Sequence, residues 1–173
     1  MNAKRLTTNA VLIALYVVLS FVSLNFGFLK LSFALLPVFL SALCFGAVDA
    51  VAVGAVASFI QQMLTYGFTA TTVLWMLPPI VLGALVGLYA RSKQFDMTTR
   101  QHAFIIAIGC LTVTTINTVV MLIDGWVYGY PVAFTFSVVS LRYVSSIAMA
   151  VIYTIVVPRV VTLIRRSGLI ERR

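Results

Sequence analysis

A chain of 173 residues that is 62% hydrophobic and 9% charged, with mean hydropathy +1.10, carries more apolar surface than a water-soluble core of this size could hide. Its net charge of +8 and pI near 10 do not point to nucleic acid, because the basic residues sit in short clusters between long apolar runs rather than on a soluble scaffold. Lipid is the solvent this composition fits, with anionic headgroups or an acidic partner facing the basic clusters.

Lys4 and Arg5 precede the first apolar run, residues 8–24, which ends at the turn residues Asn25-Phe26-Gly27. The run has no small-residue cleavage site and further spans follow it, so it reads as a retained helix rather than a signal peptide. Residues 31–45 and 48–66 form a block too long for one helix and broken near Gly46 and Asp49, which predicts a hairpin of spans two and three. Residues 67–72 make the next loop. Span four, residues 73–90, contains Pro78-Pro79 and is expected to kink. A polar loop over 91–101 carries Arg91, Lys93 and Arg100. Span five follows over 102–123, then an aromatic-rich loop over 124–131, then span six over 132–157, with Pro158 starting a tail that holds Arg159, Arg165, Arg166, Arg172 and Arg173.

The fold class expected is therefore an all-α integral membrane protein, one domain of six transmembrane helices over residues 1–173. The positive-inside rule places all three basic clusters, and both termini, in the cytoplasm. Residues 159–173 alternate apolar and basic side chains and are expected to lie along the inner surface. Any ATPase must come from another chain.

Two cations escape the clusters. Lys30 falls in an outer loop, as a solvated residue or a gate contact. Arg142 falls well inside span six, where a charge is costly and usually functional; a guanidinium there can clamp a carboxylate or polar ring. Gln61, Gln62, Trp75 and Asn117 lie at similar depth, so a pocket open to the outside is expected, with Asn117 and Gln61 foremost. Tyr66, Phe68, Trp126, Tyr128 and Tyr130 flank its mouth, as an interfacial belt or as stacking surfaces. Ala10 and Ala14 share one face of span one and leave a shallow groove; Ala50, Gly54 and Ser58, and Gly83 with Gly87, repeat the small-residue spacing. Cys44 and Cys110 read as inert buried thiols, Asp49 as a solvated or capping residue and His102 as interfacial. No metal or cofactor is indicated. With no Glu before Glu171, an intramembrane enzyme lacks its acids; a secondary transporter or channel lacks a polar path through both leaflets.

With these residues in view, the chain resembles the substrate-binding S components of energy-coupling factor (ECF) vitamin transporters, and within them the folate-type group. Ala10 and Ala14 look like the family's AxxxA docking motif. Leu31-Ser32-Phe33-Ala34-Leu35-Leu36-Pro37, then Phe45-Gly46 and Val53-Gly54-Ala55, is similar to the group's "ISFxxLP", "FG" and "VGA" pattern. Asn117 followed by Tyr128-Gly129-Tyr130-Pro131 resembles its "NT…YGxP" region. The resemblance implies a high-affinity vitamin-binding subunit in a bacterial cell membrane. Its ligand would be captured from outside by Arg142, Asn117, Gln61, Trp75, Tyr66, Trp126 and Lys30. It also implies partners, a transmembrane scaffold subunit and two ATPase subunits, and release inside by toppling in the bilayer. Folate is the vitamin expected. Ser58, where many folate-type members carry an acid, and Pro78-Pro79 leave pantothenate, hydroxymethylpyrimidine or pyridoxine as alternatives.

Overall fold

The computed structural model describes the backbone of residues 3–26, 29–129 and 131–166, with side chains for 4–22, 31–129, 131 and 138–166. In chain order the elements are α1 (Ala3–Phe21), β1 (Ser23–Phe26), β2 (Leu29–Ser32), α2 (Leu36–Phe45), α3 (Ala47–Tyr66), α4 (Thr72–Ser92), α5 (Thr99–Tyr128) and α6 (Val132–Arg166). The described residues form six helices, as the hydropathy pattern requires, and α1, α3, α4, α5 and α6 are each long and apolar enough to cross a bilayer.

The second helix differs from the expected span. α2 has 10 residues, about 15 Å of helix and so half the hydrocarbon thickness. Pro37 explains where it starts. A helix running from Leu31 would put Pro37 in its interior, where the ring clashes with the carbonyl four residues back and the missing N–H breaks the ladder. In the first turn, where Pro37 sits, neither penalty applies. The residues before it pair instead as an antiparallel hairpin, Ser23 opposite Ser32 and Asn25 opposite Lys30, in place of a simple turn at Asn25-Phe26-Gly27. Hairpin and α2 together make the return crossing. The Tyr153 hydroxyl donates to the Ser32 carbonyl at 2.9 Å, satisfying one acceptor of the β2 backbone inside the protein.

α2 is the centre of the core. Val38, Phe39, Ala42 and Leu43 are fully buried, which suits a helix that is apolar on every side. Its C-terminal carbonyls are held by two arginines. Arg5 donates to the Phe45 carbonyl at 3.0 Å and Arg165 to the Leu43 carbonyl at 3.4 Å, cations where the helix dipole favours them. Gly46, at φ +95°, turns the chain directly into α3.

α3 and α4 approach so closely that side chains are excluded between them. A Cβ on Gly87 would fall 2.4 Å from the Ala47 Cα, one on Gly83 2.7 Å from the Ala50 carbonyl carbon, and one on Gly54 2.8 Å from the Pro79 oxygen. The small residues of both helices thus form one antiparallel seam. α4 is one helix through Pro78 and Pro79, which deprive the Leu74 and Trp75 carbonyls of their usual i+4 donors.

The last two helices run further than the sequence pattern suggests. α5 begins at a capping box in which Thr98 and Gln101 satisfy each other's backbone N–H groups, and it continues to Tyr128, taking Asp124 to Tyr128 out of the expected loop. α6 passes through Pro158, which therefore does not start a separate surface segment. Met149, Tyr153, Val157 and Val161 explain this: all four are buried, spaced four apart, so the inward stripe carries on past the proline and holds the helix on the core. Arg165 then donates to the Phe95 carbonyl at 2.6 Å. The remainder of the expected surface tail, residues 167–173, lies outside the described residues.

Arg5, Arg91, Lys93, Arg100, Arg159 and Arg165 gather at one end of the bundle, hereafter the basic end, where α1, α5 begin and α2, α4, α6 finish. Asp49 lies there too, but it is neither solvated nor a simple cap. It is 3% exposed, paired with Arg5, and accepts a 2.7 Å hydrogen bond from Asn9 Nδ2. Arg5 and Asn9 are one turn apart on α1, so a single face clasps α3 through one carboxylate. His102 is likewise buried, its Nδ1 3.1 Å from the Thr98 carbonyl oxygen. Cys44 and Cys110 are buried free thiols.

Candidate functional site

The end of the bundle opposite the basic cluster is built from the C-terminal turns of α3, the N-terminal turns of α4 and α6, and the C-terminal half of α5. A 2.5 Å hydrogen bond from the Thr71 hydroxyl to the Asp124 carboxylate ties the start of α4 to α5 there, an anchor between residues 53 apart that no local pattern signals.

Arg142 is the tenth residue after the start of α6, roughly 15 Å along it. It is half-buried, and its Nη1 donates to the backbone carbonyl of Asn117 at 3.2 Å, bringing two of the expected residues together across α5 and α6. Tyr66, at the end of α3, lies in the neighbourhood of the guanidinium. A guanidinium has five N–H donors in a fixed fork, of which the Asn117 carbonyl takes one. Next to this pair, the Tyr143 hydroxyl and Thr115 Oγ1 are 3.3 Å apart.

The other expected residues are placed less convergently. Gln61 is half-buried, and its Nε2 donates to Thr65 on its own helix at 3.2 Å, while its neighbour Gln62 is the buried one of the two. Trp75 is half-buried in the second turn of α4, at the level where the prolines free its carbonyl. Tyr66 is 68% and Trp126 86% exposed, so both flank the end of the bundle rather than its interior. Lys30 pairs with Asn25 in the hairpin backbone, and its side chain lies outside the described residues, as does Tyr130. Among the described residues no group of three His, Cys, Asp or Glu is positioned to hold a metal ion.

On the flank of the molecule, Ala10 and Ala14 are both exposed on α1, while Asn9, Leu12 and Tyr16 on the same helix are buried. The fold thus turns one face of α1 inward and leaves the two alanines unpaired on a surface that another helix can approach closely.

A family model described as "ECF transporter, substrate-specific component" matches residues 4–165. Among solved structures, FolT bound with folic acid is similar at 25% identity and TM-score 0.67, over 93% of this chain and 94% of that one. The S component of a bacterial ECF transporter is similar at 21% identity and TM-score 0.59, over 93% and 97%. No curated protein sequence matches significantly.

Proposed function

We propose a function from one premise: the chain belongs to the family of ECF transporter substrate-specific components. It is accordingly a membrane protein that works with other transporter components, a binding subunit rather than an enzyme, with a fold close to that of FolT.

The proposal is that its ligand is folate. Likeness to FolT bound with folic acid over nearly the whole of both chains is the observation that carries this reading. The chemistry of the end opposite the basic cluster is compatible with it. Arg142 supplies a planar cationic fork for a carboxylate or ring carbonyl, Asn117 and Gln61 supply amides for a heterocycle, and Trp75, Tyr66 and Trp126 supply faces on which a flat ring stacks. Lys30 acts at the mouth. In this reading the basic end faces the cytoplasm. Cysteine substituted at Ala70 should then be labelled by an impermeant reagent from outside and cysteine at Gln94 should not; the reverse pattern overturns the orientation.

Ala10 and Ala14 are the proposed contact for the scaffold subunit, whose two ATPases supply the energy, and toppling in the membrane releases the vitamin inside. The test separates docking from capture. With scaffold and ATPases co-reconstituted, Ala14→Trp should abolish ATP-dependent folate uptake, since an indole on that face holds a partner helix off. It should leave folate binding within about twofold, because the site is remote from it and effects at distant positions are independent. Full uptake by Ala14→Trp would remove the docking assignment. Loss of binding would place the alanines in the fold or the ligand site instead.

A further inference from the structure

The outward side of the α5–α6 pair carries a feature that ligand capture leaves unused. A groove of about 420 Å³ runs between the two helices, floored by Ala103, Ala107 and Ala150 and walled by Ile147, Val151 and Ile155. Small residues open it and large apolar ones border it, and its two hydroxyl residues, Ser146 and Thr154, donate to the Cys110 and Ala150 carbonyls, so its contents must be apolar.

What lies at the inner end of the groove identifies the occupant. Ile147, Val151 and Ile155 are spaced four apart, and the next position in that series is Arg159; one turn before Ala103 on α5 is Arg100. The helices are antiparallel, with Arg142 bonded to the Asn117 carbonyl and Ser146 to the Cys110 carbonyl. Arg100 and Arg159 are each 17 residues from the Asn117–Arg142 contact, and 10 and 13 residues from the Cys110–Ser146 contact, so the register brings them within about one turn of each other, on adjacent helices, at the same end of the groove. Both are exposed, and no ion pair among the described residues neutralises either.

We propose that this groove holds one acyl chain of an anionic phospholipid from the leaflet covering the basic end, with its phosphate between Arg100 and Arg159. The apolar trough and the cationic pair are complementary to the two parts of one molecule in the order that a lipid presents them. A zwitterionic lipid fits the trough equally but carries a headgroup cation that opposes the pair.

Native mass spectrometry of the purified chain in detergent, with equal phosphatidylglycerol and phosphatidylcholine added, reads this directly. Phosphatidylglycerol should be retained about tenfold or more over phosphatidylcholine, since one cation near an anionic lipid contributes roughly fivefold and two act together. Arg100→Gln with Arg159→Gln should cut the preference below about twofold, and both sites are exposed, so the protein should fold. Arg91→Gln, which removes a charge from the same end away from the groove, should leave the preference intact. Filling the trough with Ala107→Leu and Ala150→Leu should reduce retention of both lipids. Equal retention by the parent chain, survival of the preference in the double glutamine variant, an equal loss in Arg91→Gln, or unchanged retention in the leucine variant would each overturn the proposal. So would a dimer from which lipid is absent, because a second copy would then cover the groove.

Discussion

Replacing Gly87 with leucine is expected to prevent the chain from accumulating as a monodisperse protein. The first side-chain carbon alone would lie 2.4 Å from both the Cα and the amide nitrogen of Ala47 and 2.8 Å from the Gly46 carbonyl carbon. These are backbone atoms at the α2–α3 corner, not a flexible side chain that can move aside. α4 must therefore separate from α3, opening the seam at Gly83 and Gly54 as well, at a loss of more than about 3 kcal/mol, beyond the usual range for overpacking. Gly129→Ala is the contrasting variant. Its φ of +71° disfavours a side chain, but nothing lies within 4 Å of the added carbon, so the loss should stay at about 1 to 2 kcal/mol. Size-exclusion profiles and thermal unfolding in detergent check both. A monodisperse Gly87→Leu protein with the parent's melting temperature would mean that the α3–α4 seam is looser than described.

The second large effect is expected at Arg142. Truncating one partner of a buried charged hydrogen bond costs about 2 to 5 kcal/mol, hence at least roughly thirtyfold in affinity. Arg142→Ala should lose folate affinity by that factor while folding normally, since its one described hydrogen bond in the protein is to a helical carbonyl that already has a backbone donor available. Arg142→Lys should recover only part of the loss, because an ammonium is a point charge and not a planar fork. Calorimetric titration distinguishes the outcomes. Wild-type affinity in folded Arg142→Ala protein would make the Asn117 contact this residue's whole role, bracing α6 against α5.

Much of the architecture is legible because burial in lipid demands long apolar helices, and charge placement marks their ends. The boundaries that differ from the hydropathy pattern all sit where local punctuation competes with tertiary packing. Residues 31–45 have the hydropathy of a span, but Pro37 permits helix only on one side of it, and the strand pairing before it needs residues 23–26 as partners. Pro158 has the form of a stop, yet Val157 and Val161 on either side of it are buried in the core, so packing overrides it. Asp124 and Trp126 look like loop residues, and the helix nonetheless includes them because Thr71 anchors the Asp124 carboxylate.

The candidate site was legible only in part for a related reason. Depth along each helix follows from counting residues, which is how Asn117 and Arg142 come to one level. Rotation about each helix does not follow from counting when nearly every side chain is apolar, so Gln61 could not be told from Gln62. The Arg5–Asn9–Asp49 clasp is hard to read from sequence, since only the spacing of Arg5 and Asn9 by one turn hints that they share a partner.

On the function proposed, this chain captures folate without its transporter partners. Purification from folate-containing medium, followed by denaturation and mass spectrometry of the released small molecules, tests it most directly. Folate should be released at close to one per chain, and lost in Arg142→Ala. A chain that releases no folate and gives no heat on titration with folic acid would contradict it, and a different vitamin released in the same amount would keep the family role and refute the ligand.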